Sequence, residues 1–267
     1  MKITYRHCLV FLFLSLFSSA AIVNAHVSNE PIHWGIKKAK DEIPAEAGEE
    51  LDSLLNKYGA FYKEETNEKT IYLTFDNGYE NGYTGKILDV LKQEKVSATF
   101  FVTGHYVKSA PELVKRMADE GHIVGNHSWS HPDLTKVSDE KLSKELEKVR
   151  TATEKLTGQQ SMAYLRPPRG ILSERTLALA QDEGYIHVLW SLAFIDWKID
   201  QQKGWKYAYD QIMKQIHPGA ILLLHTVSKD NAEALQKAIQ DLKKRGYTFK
   251  SLDELVLKRE FKNPMLY

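Results

Sequence analysis

From Thr70 to the end of the chain, short apolar runs alternate with stretches of helical periodicity. The runs are Ile71 to Phe75, Ala98 to Val102, His122 to Gly125, Ala163 to Leu165, His187 to Trp190, Ala220 to Leu224 and Tyr247 to Phe249. The helical stretches carry their own punctuation. Pro111 stands at a first-turn position, Ser138 opens "SDEKLSKELEKVRTATEKLTG", and Gly158 closes it, with Leu142, Leu146, Val149, Thr153 and Leu156 on one face. In "ADEGHIV", "QDEGYIH" and "KKRGYTF", Gly121, Gly184 and Gly246 follow a helix and precede a strand, where a left-handed residue ends a helix.

Strands joined by helices through short connections run parallel, because each helix carries the chain back before the next strand starts. About seven such units predict an α/β chain folded as a closed or nearly closed, distorted (β/α) barrel. No Gly-rich phosphate fingerprint supports an open doubly wound sheet.

The residues before this pattern read differently. "MKITYRHCLVFLFLSLFSSAAIVNAH" has Lys2 and Arg6, an apolar stretch short for a membrane span, and the small-residue pattern Val23-Asn24-Ala25. A secretory signal over residues 1–25 is expected, with a retained N-terminal anchor as the alternative. Residues 26–69 are expected to form an extension packing on the domain, with Leu51, Leu54, Leu55 and Tyr58 at helical spacing. The barrel domain is expected over 70–258, with a tail over 259–267. After cleavage no transmembrane span is expected.

Removing the leader takes away two basic residues and the only cysteine, Cys8, from a chain with 36 basic and 35 acidic residues. The remainder is near neutral, so no nucleic-acid surface is expected, and without disulfides it is held by its core. A monomer is expected.

Polar residues cluster just beyond the carboxyl ends of the expected strands: Asp76 and Asn77, Asn126, His127 and His131, Arg166, Asp196 and Trp197, and His225. In a parallel barrel these ends share one face, where such barrels place their chemistry. Singly, each has an ordinary structural reading. "DNG" is a common turn, "RPPRG" a rigid loop, and "LLLH" a core strand ending in histidine, while "HSWSH" offers two imidazoles at a metal-compatible spacing. Their convergence on one rim is what favours a site. His33, His105, His122, His187 and His217 are not assigned to it.

In order, "TFDNG", "HSWSH", "RPPRG", "FIDW" and "LLLH" resemble the five motifs of the polysaccharide deacetylases, the NodB-like family 4 carbohydrate esterases, over about Thr70 to Leu257. "TFDNGYENGYT" with "RPPRG" looks most like the branch that spore-forming bacteria direct at N-acetylmuramic acid in cortex peptidoglycan, towards muramic δ-lactam. The resemblance implies a secreted hydrolase acting on peptidoglycan strands in the cell wall or spore cortex. It places the base at Asp76, a paired arginine at Arg166, the general acid at His225 and its orienting carboxylate at Asp196. His127, His131 and the residue at Asn77 fall on the ligands of a divalent, zinc-like ion, and the backbone N–H of Arg169 on an oxyanion donor.

This chain departs from the family pattern twice. Asn77 replaces an aspartate, so the ion is expected to be weakly held. Arg169 replaces an aromatic residue, and a guanidinium suits the lactyl carboxylate that distinguishes N-acetylmuramic acid from N-acetylglucosamine. Arg169, Gly170, Trp197, Leu223 and Trp129 are the residues expected along the sugar. Packing accounts equally well for Trp197, Trp129 and Leu223, as does solvation for Arg169. Two other activities stay open: deacetylation of N-acetylglucosamine residues, and carbohydrate binding without catalysis. Phosphate-ester hydrolysis would need a rim richer in carboxylates.

Overall fold

The computed structural model describes residues 27–262; the leader expected over 1–25 lies outside them. The elements run β1 (Ile32–His33), α1 (Glu49–Lys57), β2 (Thr70–Asn77), α2 (Thr84–Glu94), β3 (Ala98–Val102), α3 (Gly104–Ser109), α4 (Pro111–Asp119) and β4 (Ile123–Asn126). They continue with α5 (Asp139–Thr157), β5 (Tyr164–Leu165), β6 (Ile171–Leu172), α6 (Glu174–Asp182), β7 (Ile186–His187), α7 (Trp205–Gln215), β8 (Ala220–His225), α8 (Lys229–Lys244), β9 (Thr248–Phe249) and α9 (Leu252–Lys262).

Seven strands form one curled parallel sheet in the order β7-β5-β4-β3-β2-β8, with β9 also pairing β2. Beyond β7 the chain crosses to the other edge, where Ser191 and Leu192 N–H groups donate to Ile221 and Leu223 N–H donates to Leu192. The curl is thereby drawn towards closure, as the alternation predicts.

Strand β2 is buried along its whole length. Its period of two sends Ile71, Leu73 and Phe75 to the core under the helices and Tyr72 to the inner core with Phe101 and Ile221, a face that Thr74 and Asp76 share by alternation. The helix ends behave as the sequence implies. The Ser138 hydroxyl accepts from Lys141 N–H, and Gly121, Gly158, Gly184 and Gly246 have φ of 80°, 74°, 82° and 85°.

Three differences from the sequence expectation bear on the site. The strand expected at His187 to Trp190 is Ile186–His187, and the antiparallel pair β1–β6 has no sequence signature. The last helix continues past residue 258 to Lys262. The segment before β2 packs as a third core, where Ile32, Trp34, Leu51 and Leu54 meet Leu172, Leu177 and Leu189.

Candidate active site

The parallel register brings the rim together. Asp76 at the end of β2 pairs with His225 at the end of β8 and with Phe101 of β3, which in turn pairs with Gly125 of β4. Gly125 is required by this layer, since a Cβ there would fall 2.7 Å from the Phe101 ring. That ring is the floor on which the Arg166 guanidinium rests, 4.2 Å from its centroid.

Arg166 follows β5 and is fully buried. Its Nη1 donates to Asp76 Oδ1 at 2.9 Å and to Thr74 Oγ1 at 2.7 Å, while Nε and Nη2 donate to the carbonyls of Val188 and Leu189. A buried charge without a partner is costly, and here carboxylate, hydroxyl and carbonyls all face it. Burial alone would raise the Asp76 carboxyl; the Arg166 charge, with the imidazoles of His127 and His225, outweighs that and holds it below the ordinary carboxylate value.

His127 continues from β4 with its Nδ1 2.8 Å from the carbonyl oxygen of Arg166, to which an Nδ1–H donates. Its Nε2 lies 3.5 Å from Asp76 Oδ2, and its ring centroid 4.8 Å from that of His131. Burial lowers both imidazoles, His131 to about 4 with His127 adding to the effect, so both are neutral donors near pH 7.

The loop carrying His131 holds two non-glycine residues in left-handed backbone, Ser128 at φ 62° and His131 at φ 55°. It is fixed from α5: Ser130 N–H and Oγ donate to Glu145 at 2.6 and 2.8 Å, and Asn126 Nδ2 donates to the Leu146 carbonyl at 2.9 Å.

Asn77 is fully buried; its Nδ2 donates to Thr226 Oγ1 at 2.8 Å, while its Oδ1 accepts no hydrogen bond. Among the described residues no three histidine, cysteine or carboxylate side chains form a metal cage. Two neutral imidazoles in contact and, separately, an orphaned buried amide oxygen at the end of β2 are donors of the kind a divalent ion takes.

Across the rim, His225 Nδ1 lies 2.7 Å from Asp196 Oδ1, and Asp196 Oδ2 accepts from the His225 backbone N–H at 2.8 Å and from Asn231 Nδ2 at 2.6 Å. Burial by itself would lower the His225 imidazole; Asp196 outweighs it and sets it above its ordinary value. With Nδ1 engaged by Asp196, Nε2 is left to act.

The expected sugar-contacting residues divide. Trp197 is 47% exposed with its ring 5.5 Å from that of His225, and Arg169 is exposed on a turn. Leu223 is buried in β8 beside Thr74. Trp129 packs against Gly104 with the Lys108 ammonium 4.7 Å above its ring. Gly170, at φ 66°, is closed in by Trp190 and Trp34.

Sequence reasoning missed Thr74, Glu145 and Asn231. Thr74 was findable, two residues before Asp76 and so on the same strand face; the other two are brought in by tertiary structure alone. A cavity of about 630 Å³ between the N-terminal segment and α9, lined by Leu55, Phe61, Tyr62, Leu255 and Lys258, holds none of these groups.

This fold and rim define a hydrolase of the polysaccharide deacetylase class, and the chain belongs to that family, the family 4 carbohydrate esterases. Residues 63–188 match the family described as polysaccharide deacetylase. Over 251 residues, 94% of this chain and 95% of the relative, it is 58% identical to the peptidoglycan-N-acetylmuramic acid deacetylase PdaA of Bacillus subtilis. The solved structure of Bacillus subtilis PdaA, a family 4 carbohydrate esterase, has a TM-score of 0.86 at 61% identity, covering 88% of this chain and 100% of that one. A family 4 carbohydrate esterase from Bacillus anthracis has a TM-score of 0.74 at 57% identity, covering 86% and 98%.

Proposed function

We propose that this protein removes the acetyl group from N-acetylmuramic acid residues of peptidoglycan. The observation that carries the chemistry is the opposition of two groups biased in different directions, a carboxylate kept ionised at Asp76 and an imidazole biased towards its protonated form at His225. Asp76 takes a proton from water as its oxygen attacks the acetamide carbonyl carbon. Arg166 holds that carboxylate in place, and the Arg169 N–H donates to the oxyanion of the tetrahedral intermediate. The C–N bond then breaks, His225 gives its proton to the departing amine, and acetate leaves. Asp196 stabilises the imidazolium and fixes its orientation.

His127, His131 and the Asn77 amide oxygen are the groups that would hold a divalent ion, which supplies Lewis-acid polarisation of the carbonyl and of water when bound. The substrate assignment is supported by the extent of likeness to PdaA, which spans 94% of the chain, and by the exposed Arg169 guanidinium, shaped for the lactyl carboxylate.

Action on peptidoglycan puts the protein outside the cytoplasmic membrane, in the wall or spore cortex, in line with the secretory signal expected over 1–25. No helix among the described residues is long and apolar enough to cross a membrane. Acetate release from purified peptidoglycan, set beside sedimentation of the protein with the same material, tests the assignment. Release at catalytic turnover is expected, and binding without release would leave a carbohydrate-binding protein instead.

A further inference from the structure

Arg169 and Gly170 are consecutive left-handed residues, at φ 59° and 66°. Such a conformation in an arginine costs free energy and persists only where its surroundings over-determine it. The surroundings that do so come from the N-terminal segment. Trp34 N–H donates to the Gly170 carbonyl at 2.9 Å, and its indole Nε1 donates to the Trp190 carbonyl at 3.1 Å. A Cβ on Gly170 would lie 3.0 Å from Trp34 Cβ and 2.7 Å from the Trp190 ring, so the two tryptophans close over the turn. Trp190 also faces the Arg166 guanidinium at 5.7 Å.

Upstream, Ile32 and His33 pair with Leu172 and Ile171 directly after the turn. Asn29 ties the far end: its Nδ2 donates to the Thr135 carbonyl at 2.9 Å, beyond the His131 loop, and its Oδ1 accepts from Ser173 Oγ at 2.9 Å.

We propose that residues 28–34 are a strap that positions the Arg169–Gly170 turn, with Trp34 as the positioning residue. Fixing the turn fixes both the Arg169 N–H and the direction of its side chain. The consequence for specificity rests on the reading of Arg169 as the muramic-acid contact; the mechanical claim does not.

Amide exchange of the segment 166–172 tests the mechanical claim. Trp34→Ala should raise it by about tenfold or more while β2 and β8 stay protected. Exchange left unchanged at the turn overturns the strap, whatever Arg169 does. Should Trp34→Ala fail to fold, Asn29→Ala cuts the other end, and the same comparison is read at 166–173. A double-variant cycle tests the consequence. Trp34→Ala should lower kcat/KM on muramic substrates by about tenfold, and in an Arg169→Ala background it should cost measurably less, because the part of the loss that runs through the Arg169 side chain is already gone while the part that runs through the backbone N–H, which alanine keeps, remains. Additive losses would overturn the coupling. Unchanged preference in Arg169→Ala alone would overturn only the recognition reading.

Discussion

Asp76 and His225 are register partners at the carboxyl ends of adjacent parallel strands, β2 and β8. A carboxylate and an imidazole spaced 149 residues apart therefore meet because both strands run the same way. Each then takes its protonation bias from a different neighbour, Arg166 on one side and Asp196 on the other.

Arg166 answers a buried carboxylate with a buried guanidinium. Arg166→Leu leaves Asp76 unpaired, and unfolding experiments should show a loss of about 3–5 kcal/mol. Arg166→Lys keeps the charge but not the fork that reaches Thr74, Val188 and Leu189, so it should fold better yet remain at least about tenfold less active. Wild-type activity in Arg166→Leu would contradict the role of this pair.

In the proposed scheme His225 is the proton donor, so kcat/KM should fall as pH rises through its raised folded value. Asp196→Asn removes the charge that raises it. The alkaline limb of the pH–rate profile should move to lower pH, and the rate should drop by about a hundredfold. The raised value also contributes stability that is fully present below the unfolded value of about 6.5 and lost as pH rises through the folded one. The wild-type advantage in melting temperature over Asp196→Asn should thus be greatest in mild acid.

In the proposed metal site, Asn77 sets the hold on a divalent ion. Calorimetric titration of zinc into chelator-treated protein should show weak binding, and Asn77→Asp should tighten it by at least about tenfold. His131→Ala should abolish it. Tight stoichiometric metal surviving chelation of the wild type would contradict this.

His187 is buried with its Nε2 unpartnered, and burial pushes it down to about 3. It stays neutral in the fold while the unfolded chain gains a proton below about pH 6.5, so its contribution to stability falls as pH drops from there towards 3. The loss is on the order of 3 kcal/mol at pH 4. His187→Leu should melt higher than wild type, with the margin widening in acid; equal acid sensitivity in both proteins would contradict it.

What could be read from the sequence follows burial. β2, β3 and β8 announce themselves because they are buried almost throughout and so are almost continuously apolar. The residues ending them, Asp76 and His225, inherit their places. β1 and β6 are two residues each and exist because Trp34 and Leu172 find each other in space, which leaves no periodic trace. Asp196 was expected directly after a strand but lies well beyond β7, past the crossing at Ser191 and Leu192. Its partner Asn231 belongs to α8 and Glu145 to α5, where helical spacing says nothing about a distant rim.

The most direct test compares muropeptides by mass spectrometry after treating purified peptidoglycan with the wild-type protein or with Asp76→Asn. Loss of acetyl from muramic acid residues, confined to the wild type, is the expected result. Acetyl loss from glucosamine residues instead, or equal loss with Asp76→Asn, would contradict the account.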